Sequence, residues 1–153
     1  MYMEIDTMKS KKDSVIVRTA FRYAIPLIFI YSIYVFTHGE YSPGGGFQSG
    51  GFLAMVVVLS RLVEGDQAKV NMTGDQAFIL SGLGAFLFAF AGWLAIFFGG
   101  KFLEYDAWIP FDISMRSKHE WGILVIEIGV TVCVMATIIV IYDAITRKGE
   151  DND

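Results

Sequence analysis

Four long apolar runs, parted by short polar stretches, organise the chain: about Val15 to Thr37, Gly46 to Val63, Gln76 to Phe98 and Trp121 to Tyr142. Each approaches the roughly 20 residues that a helix needs to cross a hydrocarbon core about 30 Å thick. The pattern therefore predicts an all-α membrane protein with four transmembrane helices. The third run holds no charge between Asp75 and Lys101, and the fourth carries Glu127 alone. Arg18 and Arg22 fall in the opening turns of the first, where long basic side chains reach back to the interface. The second is short at its glycine end. Any one such run is also compatible with a soluble helical core, but four in 153 residues leave too little polar surface to enclose them.

Between the first two runs lies His38-Gly39-Glu40-Tyr41-Ser42-Pro43-Gly44-Gly45-Gly46-Phe47-Gln48-Ser49-Gly50-Gly51. Glycine at this density permits backbone angles closed to other residues, so the stretch predicts a tight helix-to-helix turn, with Pro43 ending what precedes it. Pro43, Gly44, Gly45, Gly46, Phe47, Gly50 and Gly51 are its expected structural residues. In the second helix Gly46, Gly50 and Ala54 recur every four residues, a ridge on which another helix packs closely. Ala85 with Ala89, and Ala91 with Ala95, repeat that spacing in the third.

Elsewhere the boundaries read as follows. Asp13 or Ser14 is the expected N-cap of the first helix, and Pro26 is expected to kink it. Thr73-Gly74-Asp75 turns into the third helix. Gly99 to Glu120 reads as a long loop in which Phe102, Leu103, Tyr105, Trp108, Ile109 and Phe111 interleave with acids, either an aromatic belt at the lipid headgroups or a docking surface for a neighbouring subunit. Residues 1–14 and 144–153 read as polar tails around a single four-helix domain, 15–143.

Composition agrees: 54% of residues are hydrophobic, with a mean hydropathy of +0.51. The net charge of −4 matters less than where the bases fall. Lys9, Lys11, Lys12, Arg18, Arg22, Arg61, Lys69, Arg147 and Lys148 share one side, against Lys101, Arg116 and Lys118 on the other. The positive-inside rule then makes both termini cytoplasmic and the glycine-rich turn external. No small-residue cleavage site follows Thr37, so the first helix is expected to stay attached. The single cysteine, Cys133, excludes an intramolecular disulfide, and the dispersed bases with an acidic balance exclude a nucleic-acid partner.

Candidate chemistry centres on Glu127. It lies six residues past Trp121, roughly 9 Å inside the membrane at 1.5 Å per residue. A bare charge at the bilayer centre costs about 2.5–3.5 kcal/mol on insertion scales, somewhat less at this depth. The residue therefore either holds a proton or meets a cation or hydrogen-bond donor. Glu120, two turns earlier, and Thr131, one turn later, share its face and form a polar file suited to Na+ or H+. The alternative is a carboxylate satisfied by a partner helix that never titrates. His38 with Glu40, and His119 with Glu120, are too few ligands for a metal site. The triple glycine has no Lys-Ser/Thr after it and is no phosphate loop. No catalytic residues, metal site or cofactor are assigned.

Three segments, in order and at matching spacing, carry a family resemblance: Asp13-Ser14-Val15-Ile16-Val17-Arg18-Thr19, the His38-Gly39 to Pro43-Gly44-Gly45-Gly46-Phe47 element, and Glu127-Ile128-Gly129-Val130. Together they resemble the B subunit of the Mrp/Mnh multisubunit sodium/proton antiporters, the MnhB family. The resemblance implies a cell-membrane, multi-pass subunit that works only beside antiporter-like subunits, without enzymatic activity of its own. It equally implies a place in the module built into archaeal membrane-bound hydrogenase and sulfane sulfur reductase complexes. Glu127 stands where the family usually has aspartate in Asp-x-Gly-Val. Phe47-Gln48-Ser49-Gly50-Gly51 is more polar than the Phe-Ile-Gly-Gly of many antiporter members, which leans toward the respiratory branch. Two roles follow: an ion-translocation subunit using Glu127, or an assembly subunit that packs its neighbours without touching the ion. An autonomous channel offers too few inward polar groups to replace an ion's water shell.

Overall fold

A computed structural model describes residues 2–39, 44–65, 68, 70–104 and 115–150, with the helix ends 2–14, 115–117 and 147–150 as backbone. Among these residues the chain forms four helices: α1 (Tyr2–Thr37), α2 (Gly46–Glu64), α3 (Gly74–Phe97) and α4 (Met115–Glu150). The stretches long and apolar enough to span a membrane are Val15–Thr37, Gly46–Glu64, Gly74–Phe97 and Lys118–Thr146.

Two helices are longer than the apolar pattern predicts. α1 runs without a break through Asp13 and Ser14, so the expected N-cap does not form there. Residues 2–14 hold no glycine or proline, and the methionine, lysine and glutamate among them favour helix. α4 starts at Met115, so the last six residues of the expected 99–120 loop are helical, and it continues to Glu150. Hydropathy marks where a helix enters lipid; only capping chemistry marks where it begins. Pro26 lies inside α1 without ending it. Thr73 caps α3 in a reciprocal box, its hydroxyl accepting from the Gln76 N–H while the Gln76 side chain accepts from the Thr73 N–H.

The helices pack in the order α1, α2, α4, α3. α2 is the most enclosed, with 39% of its most apolar stretch buried against 11% for α1. Small residues allow this. A Cβ on Gly46 would stand 2.5 Å from the Glu127 carbonyl oxygen, and one on Gly50 would stand 2.7 Å from that of Thr131. Gly46 and Gly50 are one turn apart, and so are Glu127 and Thr131, so α2 and α4 run parallel with their backbones in contact. Ala54 continues the ridge into a core with Val57, Ala77 and Ile139, flanked by Met72, Met135 and Val140. The ridge expected from sequence is thus real, and the helix it receives is the chain's own α4.

α3 crosses α4 antiparallel through Gly84 and Gly129. A Cβ at Gly84 would lie 2.5 Å from Cys133 N and 2.7 Å from the Gly129 carbonyl. Ala91 and Ala95 are buried, but Ala85 and Ala89 face outward, so only one of the two expected alanine pairs packs inside the chain. Gly99, at φ 85°, closes α3, and Phe102 folds back so that its ring covers Gly92. The remaining aromatic residues of this loop, Tyr105 to Phe111, lie outside the described residues.

α1 packs on α2 alone among its stronger contacts, and it does so through serines. Ser32 Oγ donates to the Ser49 carbonyl at 2.9 Å and lies 3.2 Å from Ser49 Oγ, both residues being buried. Tyr31 meets Phe52 edge-on at 5.2 Å one turn away.

Candidate functional site

Glu127 sits where α4 meets the connection between α1 and α2. Its Oε1 would be 2.7 Å from a Cβ at Gly39 and equally 2.7 Å from one at Gly45. Two glycines from opposite ends of the connection therefore clasp one carboxylate. Gly45 has φ 78°, the left-handed region, so backbone and side-chain space both call for glycine there. Gly44 rests against Val35, and Gly46 against the Glu127 backbone. Phe47 is 69% exposed, and Gly51 has nothing within 4 Å of its Cβ position. Successive positions on a helix are about 100° apart, so with Gly46 and Gly50 facing α4, Phe47 and Gly51 are turned away from it. Pro43 and Glu40 lie outside the described residues.

On its other side Glu127 borders an open cleft of about 320 Å³ between α1 and α4, shared with Phe36, Thr37, Glu120, Trp121 and Leu124. The structure therefore brings Glu120 and Glu127 to one cleft, as their seven-residue spacing predicts. Thr131 is placed differently. It is buried, and its hydroxyl donates to the Glu127 carbonyl at 2.7 Å, so its proton is held by its own helix. Thr131 instead lines a second furrow of about 190 Å³ with Ser32, Ser49, Ile33, Leu53 and Val132. Phe36 borders both spaces. His38 turns its Nδ1 toward Tyr34 O at 3.0 Å and Thr37 Oγ1 at 3.1 Å, and its ring stacks on Tyr34.

Toward the opposite end of α4, sequence reasoning missed a charged knot. Arg61 of α2 pairs with Asp143 of α4, donates through Nε to Asn71 Oδ1 at 2.7 Å, and stands 6.0 Å from the centre of the Tyr142 ring. The Asp143 carboxylate lies against Gly74, the first residue of α3, where helix N–H groups favour negative charge. The signal was present in the sequence: one base in the last turn of a span and one acid just past another, at the same membrane end. Asp143 lies sixteen positions after Glu127, about 24 Å along the helix, so the two charged sites stand near opposite faces of the bilayer.

Comparison with known proteins agrees with this architecture. Relatives named "Putative antiporter subunit mnhB2" in Staphylococcus aureus strains Newman, USA300 and COL are each 28% identical over 135 residues, covering 84% of this chain and 96% of the relative. The matched region of a family model, described as a domain related to the MnhB subunit of Na+/H+ antiporter, spans residues 16–140 and so reaches from the first apolar span into the fourth, taking in the glycine clasp and Glu127. The chain is a multi-pass membrane protein that belongs to the MnhB family.

Proposed function

We propose that the chain is a non-catalytic integral subunit of a multisubunit Na+/H+ antiporter in the cell membrane, and that Glu127 borders the route taken by the ion. Both termini are assigned to the cytoplasm and the 38–45 connection to the outside, from the distribution of lysine and arginine. The observation that carries the role is the position of Glu127: one side of its carboxylate is held by Gly39 and Gly45, and the other borders a cleft that it shares with Glu120. A carboxylate fixed in place but open on one side exchanges a proton or cation without reorganising its surroundings. The names of the matched relatives support antiport as the process.

The test is Glu127→Gln in the assembled complex. The amide keeps the shape and loses the charge, so exchange should fall by about tenfold or more while the complex assembles in full. Full assembly with unchanged exchange would overturn the assignment and select the assembly-only role. For that second role the Gly46-Gly50-Ala54 ridge is taken up by α4 within the chain, whereas Ala85 and Ala89 face outward.

A further inference from the structure

α1 and α4 each pack along α2, and two spaces lie between them. The outer one, beside the 38–45 connection, is the cleft that Glu127 borders; the inner one is the furrow at Ser32, Ser49 and Thr131. Phe36, half-buried on α1, borders both. Two contacts fix its depth. Ser32 lies opposite Ser49, and Gly46, about one turn outward of Ser49, lies against Glu127, while Phe36 is likewise about one turn outward of Ser32. The residue therefore stands at the level of the carboxylate. A long side chain on a helix leans over the preceding turn, and for Phe36 that turn is Ser32 and Ile33 on the furrow wall. The furrow's volume of about 190 Å³ equals that of about six waters at roughly 30 Å³ each. Its walls are almost wholly apolar, however: Ile33, Leu53, Ile128 and Val132 surround hydroxyls already engaged, Ser32 donating to the Ser49 carbonyl and Thr131 to that of Glu127. A water needs about two to four polar partners to stay in such a space, so the furrow is dry.

We infer that Phe36 is the inner gate of Glu127: it separates the open cleft from the dry furrow, so that in this conformation the carboxylate is reached from the outer cleft alone. The inference rests on the reading of that cleft as the ion's approach. Exchange without leak requires a site to face one side of the membrane at a time, and an apolar constriction achieves this by staying dry until its side chain moves. In a helix a phenylalanine has two χ1 wells open to it, so the ring has a second position that needs no shift of the backbone.

Thiol access tests this in the intact complex, held in sealed vesicles of known orientation and carrying Cys133→Ala so that one introduced cysteine reports alone on this chain. The reporters are Leu53→Cys in the furrow and Leu124→Cys in the cleft. With a membrane-impermeant methanethiosulfonate reagent added outside, Leu124→Cys should react readily and Leu53→Cys slowly. Adding Phe36→Ala should speed the reaction of Leu53→Cys by about tenfold or more and leave that of Leu124→Cys unchanged. The rate should follow the apolar bulk lost, with Phe36→Val between and Phe36→Leu near the parent, and the milder pair keeps the series readable if alanine lowers the yield of complex. A Leu53→Cys thiol that is fast in the parent, one that stays slow in both truncations, or a Leu124→Cys thiol closed to the reagent would each overturn the inference. Ion exchange is not a readout here, so a silent Glu127→Gln would remove the carboxylate's role while these rates still report whether Phe36 is the barrier.

Discussion

Gly50 and Gly51 are neighbours in sequence and opposites in surroundings, which makes them a paired test of how α2 meets α4. A methyl group on Gly50 would stand 2.7 Å from the Thr131 carbonyl oxygen, 3.0 Å from Val134 Cβ and 3.3 Å from Met135 N. Two of these three are backbone atoms of a helix and cannot rotate away, so α2 and α4 must part by about half an ångström. Overpacking of this kind costs about 1–3 kcal/mol. Alanine returns about 0.5–1 kcal/mol relative to glycine in mid-helix, leaving Gly50→Ala a net loss of up to about 2.5 kcal/mol. Gly51 has nothing within 4 Å of its Cβ position, so Gly51→Ala retains only the gain, about 0.5–1 kcal/mol. The adjacent substitutions should therefore differ in sign. Titration with sodium dodecyl sulfate in mixed micelles, followed by the fluorescence of Trp93 and Trp121 on α3 and α4, reads the midpoints. Equal midpoints for the two variants would refute the parallel contact of α2 and α4 through Gly46 and Gly50.

Further predictions use the same titration. Arg61→Met strands the Asp143 carboxylate, whose side chain is 16% exposed, and should cost near the lower end of about 3–5 kcal/mol; adding Asp143→Leu should recover most of it. Ser32→Ala removes the donor to the Ser49 carbonyl and should cost about 0.6–1.7 kcal/mol, whereas Ser49→Ala should cost less, because Ser32 keeps the carbonyl. Thr73→Ala opens the α3 capping box and should cost about 1 kcal/mol, with Thr73→Ser near neutral.

Hydropathy and length sufficed for the four spans because lipid demands long apolar helices and little else from sequence. The four-residue glycine spacing of α2 also marked the packing face correctly. What the pattern did not show were relations between helices. Gly46 and Gly51 look equivalent in a list, yet five residues turn one toward α4 and the other away. Ser32 lies in an apolar run with nothing to mark it until α2 folds back and sets Ser49 opposite. Glu127 and Glu120 were legible as a pair because both lie on one helix at two-turn spacing. That Gly39 and Gly45 close around the same carboxylate depends on where α4 falls against the α1–α2 connection, and no local pattern carries that information.

The clasp itself yields a test of whether Glu127 is held by these glycines or merely near them. Gly45→Ala meets two obstacles: a backbone at φ 78°, which costs an L-residue about 1–2 kcal/mol, and the Glu127 Oε1 atom 2.7 Å from the new methyl group. Glu127→Asp keeps the charge but shortens the side chain by one methylene, which withdraws the oxygen and removes the second obstacle alone. Gly45→Ala should therefore be milder by about 1 kcal/mol in the Glu127→Asp background than in the parent chain. Gly65→Ala supplies the control: its φ of 59° imposes backbone strain, but nothing lies within 4 Å, so its cost should be the same in both backgrounds. If Gly45→Ala is equally damaging with either acid, the carboxylate does not press on the turn, and the fixed orientation on which the ion assignment depends is lost. If the two are coupled as expected, the glycine at 45 is required by the length of the acid at 127, and the side chain nearest the proposed ion route also sets the shape of the corner that holds it.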